Sequence, residues 1–175
     1  MVKTVNLFRV SLVKEKTKIH YEQKSINNSN KAVKLFRFFI NSFGQSDREN
    51  FCVALLDAKN NLLGMNLTAM GGTRLASLSA VDVLKVAVLS NAVAIICCHN
   101  HPSGNCTPSE QDIYVTKRLT KASNLLGITF HEHLIISMTD DNYYSFSEHG
   151  QIHNNLRTPS SSAEESRGDE NKCCM

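Results

Sequence analysis

Two histidines one residue apart, His99 and His101, open the stretch His99-Asn100-His101-Pro102-Ser103-Gly104-Asn105-Cys106-Thr107-Pro108-Ser109-Glu110-Gln111-Asp112. In extended backbone, residues i and i+2 point to the same side, and Pro102 biases His101 toward β or polyproline angles, so both imidazoles can face one point. Ser109 and Asp112 follow at the spacing of a helix cap and its third helical residue. Two neutral imidazoles and a carboxylate make the three protein ligands of a catalytic zinc, with the fourth tetrahedral position left to water. Read more blandly, Ser-x-x-Asp is only a capping box and the histidines are a polar turn. What favours a metal is the conjunction: a carboxylate at the start of a helix, beside two convergent imidazoles.

The elements around this loop are suited to hold it. Val93-Ala94-Ile95-Ile96-Cys97-Cys98 is a short continuous apolar run, the pattern of a strand buried on both faces. The histidines therefore leave the end of a rigid central strand. Gly104 allows a sharp turn. A helix from Ser109 would turn Val115, Leu119, Ala122 and Leu126 inward and Lys117, Arg118 and Lys121 outward, with Asp112 flanking the inward face. A carboxylate there is costly unless a cation compensates it.

His-x-His, seven residues, then Ser-x-x-Asp resembles the signature of the JAMM or MPN+ zinc metalloproteases, and HNHPSG…TPSEQD is similar to the RadC-like branch of that family. The resemblance extends over residues 47 to 152, through LLDAKNNLLG, Gly71-Gly72, ITFHEHLIIS and YYSFSEHG. It implies an MPN-type, cytidine-deaminase-like sandwich holding one Zn2+ on His99, His101 and Asp112. Glu49 matches the family's general base, and Ser109 matches the serine that helps hold the oxyanion. The implied substrate is a peptide or protein, cut at a peptide or isopeptide amide bond. On spacing alone Glu49 is a surface charge in the cluster Asp47-Arg48-Glu49-Asn50, so its catalytic place follows from the resemblance only.

A chain of 175 residues suits one domain with a sizeable core, and 42% hydrophobic and 20% charged residues are ordinary for a globular protein. A net charge of +3 does not mark a nucleic-acid binder, which calls for a concentrated basic face. No apolar run approaches the roughly 20 residues that span a bilayer, and the opening MVKTVNLFRVSLVKEK is charged too early and too often for a signal peptide. The expectation is a cytoplasmic protein without membrane attachment. Of six cysteines, Cys52, Cys97 and Cys98 fall in core strands, and the adjacent pairs lack the separation of zinc knuckles. Cys106 lies in the loop itself, as a stray ligand, a redox-sensitive thiol or a passenger.

Taken in order, residues 4–13 alternate as a half-wet strand, and residues 14–30 read as a polar loop. Ala32, Leu35, Phe36, Phe39, Ile40 and Phe43 recur at helical spacing, with Lys31, Lys34 and Arg37 off that face and Gly44 at the end. Phe51 to Leu56 and LLGMNLTAM form a hairpin across Asp57-Ala58-Lys59-Asn60-Asn61, and Gly71-Gly72 ends it. Ser79-x-x-Asp82 caps another helix with Ala80, Val83, Leu84, Ala87 and Val88 on one face. ITFHEHLIIS is a strand carrying a second His-x-His, His131 and His133, which strand alternation explains without a metal. Where the RadC-like family commonly has an aspartate before the residue matching His133, Glu132 stands here. Tyr143-Tyr144-Ser145-Phe146 reads as a last strand, and from 154 a serine- and charge-rich tail is expected to be disordered.

The expected architecture is a mixed α/β sandwich, one domain over residues 1–153 whose first 46 residues are a divergent strand and helix. Three functions fit: a zinc-dependent amide hydrolase, an interaction module with a structural metal, or a DNA-associated repair accessory. The second would fill the fourth metal position with protein, for which Cys106 is the candidate. The third predicts steeply salt-dependent DNA binding through Lys31, Lys34 and Arg37.

Overall fold

The structure, a computed structural model, describes residues 25–71 and 78–153. The expected strand over 4–13, most of the loop that follows it, Gly72 and the tail from 154 lie outside the described residues.

Helix α1, Ser29–Phe43, begins earlier than its apolar stripe because the Asn28 side chain caps it, accepting the Lys31 backbone N–H at 2.9 Å. It buries Ala32, Val33, Leu35, Phe36, Phe39 and Ile40, while Phe43 stays at the rim against Phe39. Strands β1, Asn50–Leu56, and β2, Leu62–Met70, form the hairpin. Asp57 Oδ1 closes its turn by accepting the backbone N–H groups of Lys59 and Asn61, each at 2.8 Å, and Asn60 takes the left-handed conformation, φ 58°. Helix α2, Ala80–Leu89, follows the Ser79–Asp82 capping box. Then come β3, Ala94–Asn100, α3, Glu110–Leu125, β4, Thr129–Ile136, and β5, Tyr143–Ser145.

The five strands make one mixed sheet in the order β2-β1-β3-β4-β5. Only β3 and β4 run parallel, joined through α3. Alternation along the central strands decides which helix each side chain meets. Cys52, Ala54, Leu56, Ile96 and Cys98 pack under α1, whereas Phe51, Val53, Leu55, Ile95 and Cys97 pack under α2 and α3. Every residue of β1 and β3 is buried, which is why both read as unbroken apolar runs. The parity also sends His99 toward α3, since it continues the series of Ile95 and Cys97.

At two places the inward face of a helix is narrower than its periodicity suggests. Leu126 is 54% exposed because α3 has already ended, and Val88 of α2 faces solvent. Thr116, Thr120 and Ser123 are the buried polar residues of α3.

Candidate metal centre

His99 is the penultimate residue of β3 and is 1% exposed. The ladder to β4 continues one residue beyond the strand, the His101 N–H donating to Ile136 O at 3.2 Å, so both histidines leave the sheet on one side. Their Nε2 atoms are 3.1 Å apart. The chain then turns at once: Gly104 N–H donates to His101 O at 3.0 Å, with Gly104 at φ 77°, a conformation that costs glycine nothing. That turn brings Asn105 O to 2.6 Å from His101 Nδ1. A carbonyl only accepts, so Nδ1 carries the proton and Nε2 keeps its lone pair for the site.

Asp112 arrives from the other side on the first turn of α3. The capping box is formed: Asp112 N–H donates to Ser109 Oγ, and Asp112 Oδ2 accepts the Ser109 N–H at 2.7 Å and the Ser109 hydroxyl at 2.6 Å. Its Oδ1 lies 3.1 Å from His99 Nε2, and its Oδ2 3.7 Å from His101 Nε2. The capping reading of Ser-x-x-Asp is thus realised, the same carboxylate also lies beside both imidazoles, and the N-terminal dipole of α3 favours its negative charge.

Ligand atoms of His99, His101 and Asp112 all lie within 4.8 Å of one another, so this trio is a possible metal-binding group. A tetrahedral ion with bonds of about 2.0–2.2 Å needs ligand atoms about 3.3–3.6 Å apart; the two Nε2 atoms are 3.1 Å apart, and the two Asp112 oxygens each approach one of them, Oδ1 at 3.1 Å from His99 and Oδ2 at 3.7 Å from His101. Two imidazole nitrogens and a carboxylate oxygen are a donor set suited to zinc. Burial works against charge on Asp112, but the imidazoles of His101 and His99 outweigh it and hold the carboxyl well below the usual carboxylate range. The hydrogen bond to Asp112 in turn raises the pKa of His101, against the effect of burial. A carboxylate kept ionised and two imidazoles turned inward are what a divalent cation requires.

Glu49 lies immediately before β1, half-buried, with its backbone O accepting the Gly71 N–H at 2.8 Å. Phe51, two residues later, pairs with His99 across the antiparallel β1–β3 ladder. The Phe51 ring stacks 6.0 Å from that of His99, and the negative charge of Glu49 contributes to raising the His101 pKa. The loop that carries it is tied down by two buried amides. Asn100 Oδ1 accepts from the backbone N–H and the side chain of Asn50, each at 2.9 Å, while Asn100 Nδ2 donates to Arg48 O. Asn50 Nδ2 donates to Gln45 O and Arg48 O, both at 2.8 Å. The amide between the two histidines therefore anchors the segment bearing the glutamate. Gly44 serves this clamp: its backbone is extended, not left-handed, but a Cβ there would meet Asn50 Oδ1 at 2.7 Å.

His133, on β4, does not join the cluster but backs it. It is fully buried, with Nε2 3.0 Å from His99 Nδ1 and Nδ1 2.6 Å from Thr116 Oγ1. A bulge in β4, where Ile95 pairs with Phe130 but Ile96 with Glu132, separates it from His131. His131 instead borders a cavity under α1 with Ile26, Ala32 and Ile96, and its Nε2 meets Asn60 Oδ1 at 2.9 Å. The second His-x-His is thus split between the two faces. Glu132 also faces away from the cluster: it accepts the Ser145 and Ser29 hydroxyls and the backbone N–H groups of His133 and Ser147, bracing β4 against β5 and α1. Asn50, Asn100 and Thr116 carried no signal of their own in the sequence, since their roles depend on pairings between distant segments.

Two other residues singled out by the sequence lie elsewhere. The Cys106 thiol points to Gly104 O and Asn142 O, bordering an open groove with Tyr143 and Tyr144, and burial and nearby Asp140 raise its pKa. Arg37 pairs with Asp141 at 2.8 Å and donates to the carbonyls of Ser137, Asp140 and Asn142, so it is engaged in holding the β4–β5 loop. Among the described residues no helix is long and apolar enough to cross a membrane.

Similar proteins place this geometry. The chain is 39% identical over 140 residues to the UPF0758 protein of Actinobacillus pleuropneumoniae (serotype 5b, strain L20), covering 77% of this chain and 61% of that protein. It is 42% identical over 102 residues to the UPF0758 protein of Finegoldia magna, covering 58% of this chain and 46% of that one. To the UPF0758 protein of Moorella thermoacetica it is 44% identical over 90 residues, 51% of this chain and 39% of that one. The chain thus spans at most about three fifths of the length of these relatives. The model of the RadC-like JAB domain matches residues 26–151, taking in α1 as well as the sheet and the histidine loop, and the chain belongs to that family.

Proposed function

We propose that this domain is a zinc-dependent hydrolase acting on a peptide or isopeptide amide bond of a protein substrate. The observation that supports the reading is the gathering of ligand atoms of His99, His101 and Asp112 within 4.8 Å of one another, with Glu49 two residues before Phe51, the β1 residue that pairs with His99. A divalent cation held by those three supplies Lewis-acid chemistry, acidifying water and polarising a carbonyl. The residues of the chain do the rest. Glu49 accepts the proton of the attacking water and returns it to the departing amine, general acid–base work that typically contributes about 10²–10⁴-fold. Ser109 lies beside the ligands at the start of α3, and its hydroxyl, once turned from Asp112 Oδ2, donates to the developing oxyanion.

The test is metal content of the purified protein together with hydrolysis of fluorogenic peptide and isopeptide amides. Zinc at one per chain, hydrolysis abolished by chelation, and loss of turnover in Glu49→Gln with zinc retained support the reading. A protein that excludes zinc, or one in which Glu49→Gln hydrolyses as fast as the wild type, ends it.

A further inference from the structure

We propose that His133 and Thr116 form a buried relay that fixes which nitrogen of His99 faces the cation, making His133 a positioning residue of the metal centre. The proposal rests on His99 being a ligand. Four groups lie in line: His99 Nδ1 to His133 Nε2 at 3.0 Å, His133 Nδ1 to Thr116 Oγ1 at 2.6 Å, and Thr116 Oγ1 to Asp112 O at 2.7 Å. The last member is a carbonyl and can only accept. With the Thr116 hydroxyl donating to it, Thr116 Oγ1 accepts from His133 Nδ1–H, His133 Nε2 accepts from His99 Nδ1–H, and His99 Nε2 is left with a lone pair.

The opposite polarity has the Thr116 hydroxyl donating to His133 Nδ1 and His133 Nε2–H donating to His99 Nδ1. It puts a proton on His99 Nε2, the atom turned toward His101 and Asp112, and so closes the site to a cation. One direction of the chain is therefore compatible with metal and the other is not. His101 needs no such partner because Asn105 O already fixes its tautomer. His99, the more deeply buried of the two, meets a side chain there instead.

The surroundings of His133 fit a neutral, oriented ring. It stacks on Phe146 with centroids 4.9 Å apart at 11°, and Phe51 lies 5.5 Å away on a tilted plane. Its backbone N–H is held by Glu132. Thr116 sits one helical turn after Asp112, so the relay runs from one ligand to the backbone of another and ties the end of β3 to the start of α3. Hydrogen-bonded partners of ligating histidines typically change metal affinity about 10–100-fold when removed.

Two measurements test this in the intact chain, with zinc itself as the probe. Imidazole nitrogen NMR of the zinc-loaded protein is expected to find His133 as the Nδ1–H tautomer, the less common form of a free histidine, whereas Thr116→Val, which removes the acceptor of that proton, is expected to shift His133 to Nε2–H in the metal-free protein and to weaken zinc binding. Competition against a chromophoric chelator is expected to show about 10–100-fold weaker zinc binding in His133→Met, with most of the loss restored in His133→Gln, whose amide oxygen can accept from His99. A residue needed only for packing gives the reverse order, Met being tolerated and Gln not. His133 protonated at Nε2 in the loaded wild type, or His133→Met binding zinc within twofold of it, overturns the relay. A wild type that binds zinc but cleaves no amide sinks the hydrolase and leaves the relay standing, whereas a wild type that takes up no zinc sinks both.

Discussion

Asp112 divides its carboxylate between two tasks: Oδ2 takes the Ser109 hydroxyl at 2.6 Å, and Oδ1 sits 3.1 Å from His99 Nε2. Closing the cap of α3 and bringing the carboxylate to the two histidines are therefore one event. The same cap exists without a ligand on α2, where Ser79 and Asp82 form a capping box far from the histidines in sequence. The two serines make a matched pair.

Ser109→Ala and Ser79→Ala are each expected to cost about 1 kcal/mol, lowering the melting temperature by about 2–4 °C. Only Ser109→Ala is expected to weaken zinc binding, by about tenfold, because it frees the carboxylate to swing. Calorimetry and zinc titration of both variants separate cap from ligand support. Equal zinc affinity in the two would show that the cap does not aim Asp112.

The coupling of His101 to Asp112 sets a pH dependence. The hydrogen bond to Asp112 raises the His101 pKa above its unfolded value. In the metal-free protein this pair therefore adds stability that is fully present below the unfolded pKa of about 6.5 and is lost as pH rises through the raised folded value. Buried His133, lowered by desolvation, runs the other way, so the contrast is read as the difference between wild type and His101→Gln, in which the His133 contribution largely cancels. That difference is expected to shrink with rising pH. Zinc needs His101 neutral, so its affinity is expected to begin falling at a pH above the ordinary imidazole value. Denaturant melts of the metal-free proteins and zinc titrations across the neutral range check both, and a stability difference that does not change with pH would refute the coupling.

Gly44→Ala tests the clamp behind Glu49. Its backbone suits any residue, but the new Cβ meets Asn50 Oδ1 at 2.7 Å and Ile40 O at 3.0 Å, so Asn50 must shift and its bonds to Asn100 and the 45–48 loop loosen. A loss of about 1–3 kcal/mol is expected in urea denaturation. Neither residue touches the ligands, so zinc affinity is expected to hold while turnover of any amide substrate falls. Weakened zinc binding instead would mean that the clamp serves the histidines and not the glutamate.

Much of the site was legible because it is local. The histidine pair, the turn and the capping box lie within fourteen consecutive residues, and the unbroken apolar run before them announced a doubly buried strand. Glu49 was not legible by itself: it lies two residues before Phe51, whose pairing with His99 brings β1 alongside the histidine strand, and register between distant strands has no one-dimensional signature. The same limit hid His133. Simple alternation puts it beside His131 on one face, and the bulge that parts them depends on the parallel pairing of β4 with β3. Helix faces were read well near their middles and badly at the end of α3, where Leu126 continued the periodicity after the helix had stopped.

Cys106 bears on whether a bound metal keeps an open position. Its thiol is turned to Gly104 O and Asn142 O, outside the group formed by His99, His101 and Asp112, and burial keeps it protonated at neutral pH. A thiol so placed is a poor ligand and a slow nucleophile. Cys106→Ser is therefore expected to leave zinc stoichiometry unchanged and affinity within about twofold, and iodoacetamide is expected to label Cys106 more slowly than a free cysteine. Cobalt substitution sharpens the result, because a thiolate ligand produces an intense near-ultraviolet charge-transfer band. If the cobalt protein has that band and Cys106→Ser abolishes it, the fourth position belongs to the protein and the site is structural. Its absence leaves that position to water, as the hydrolase requires.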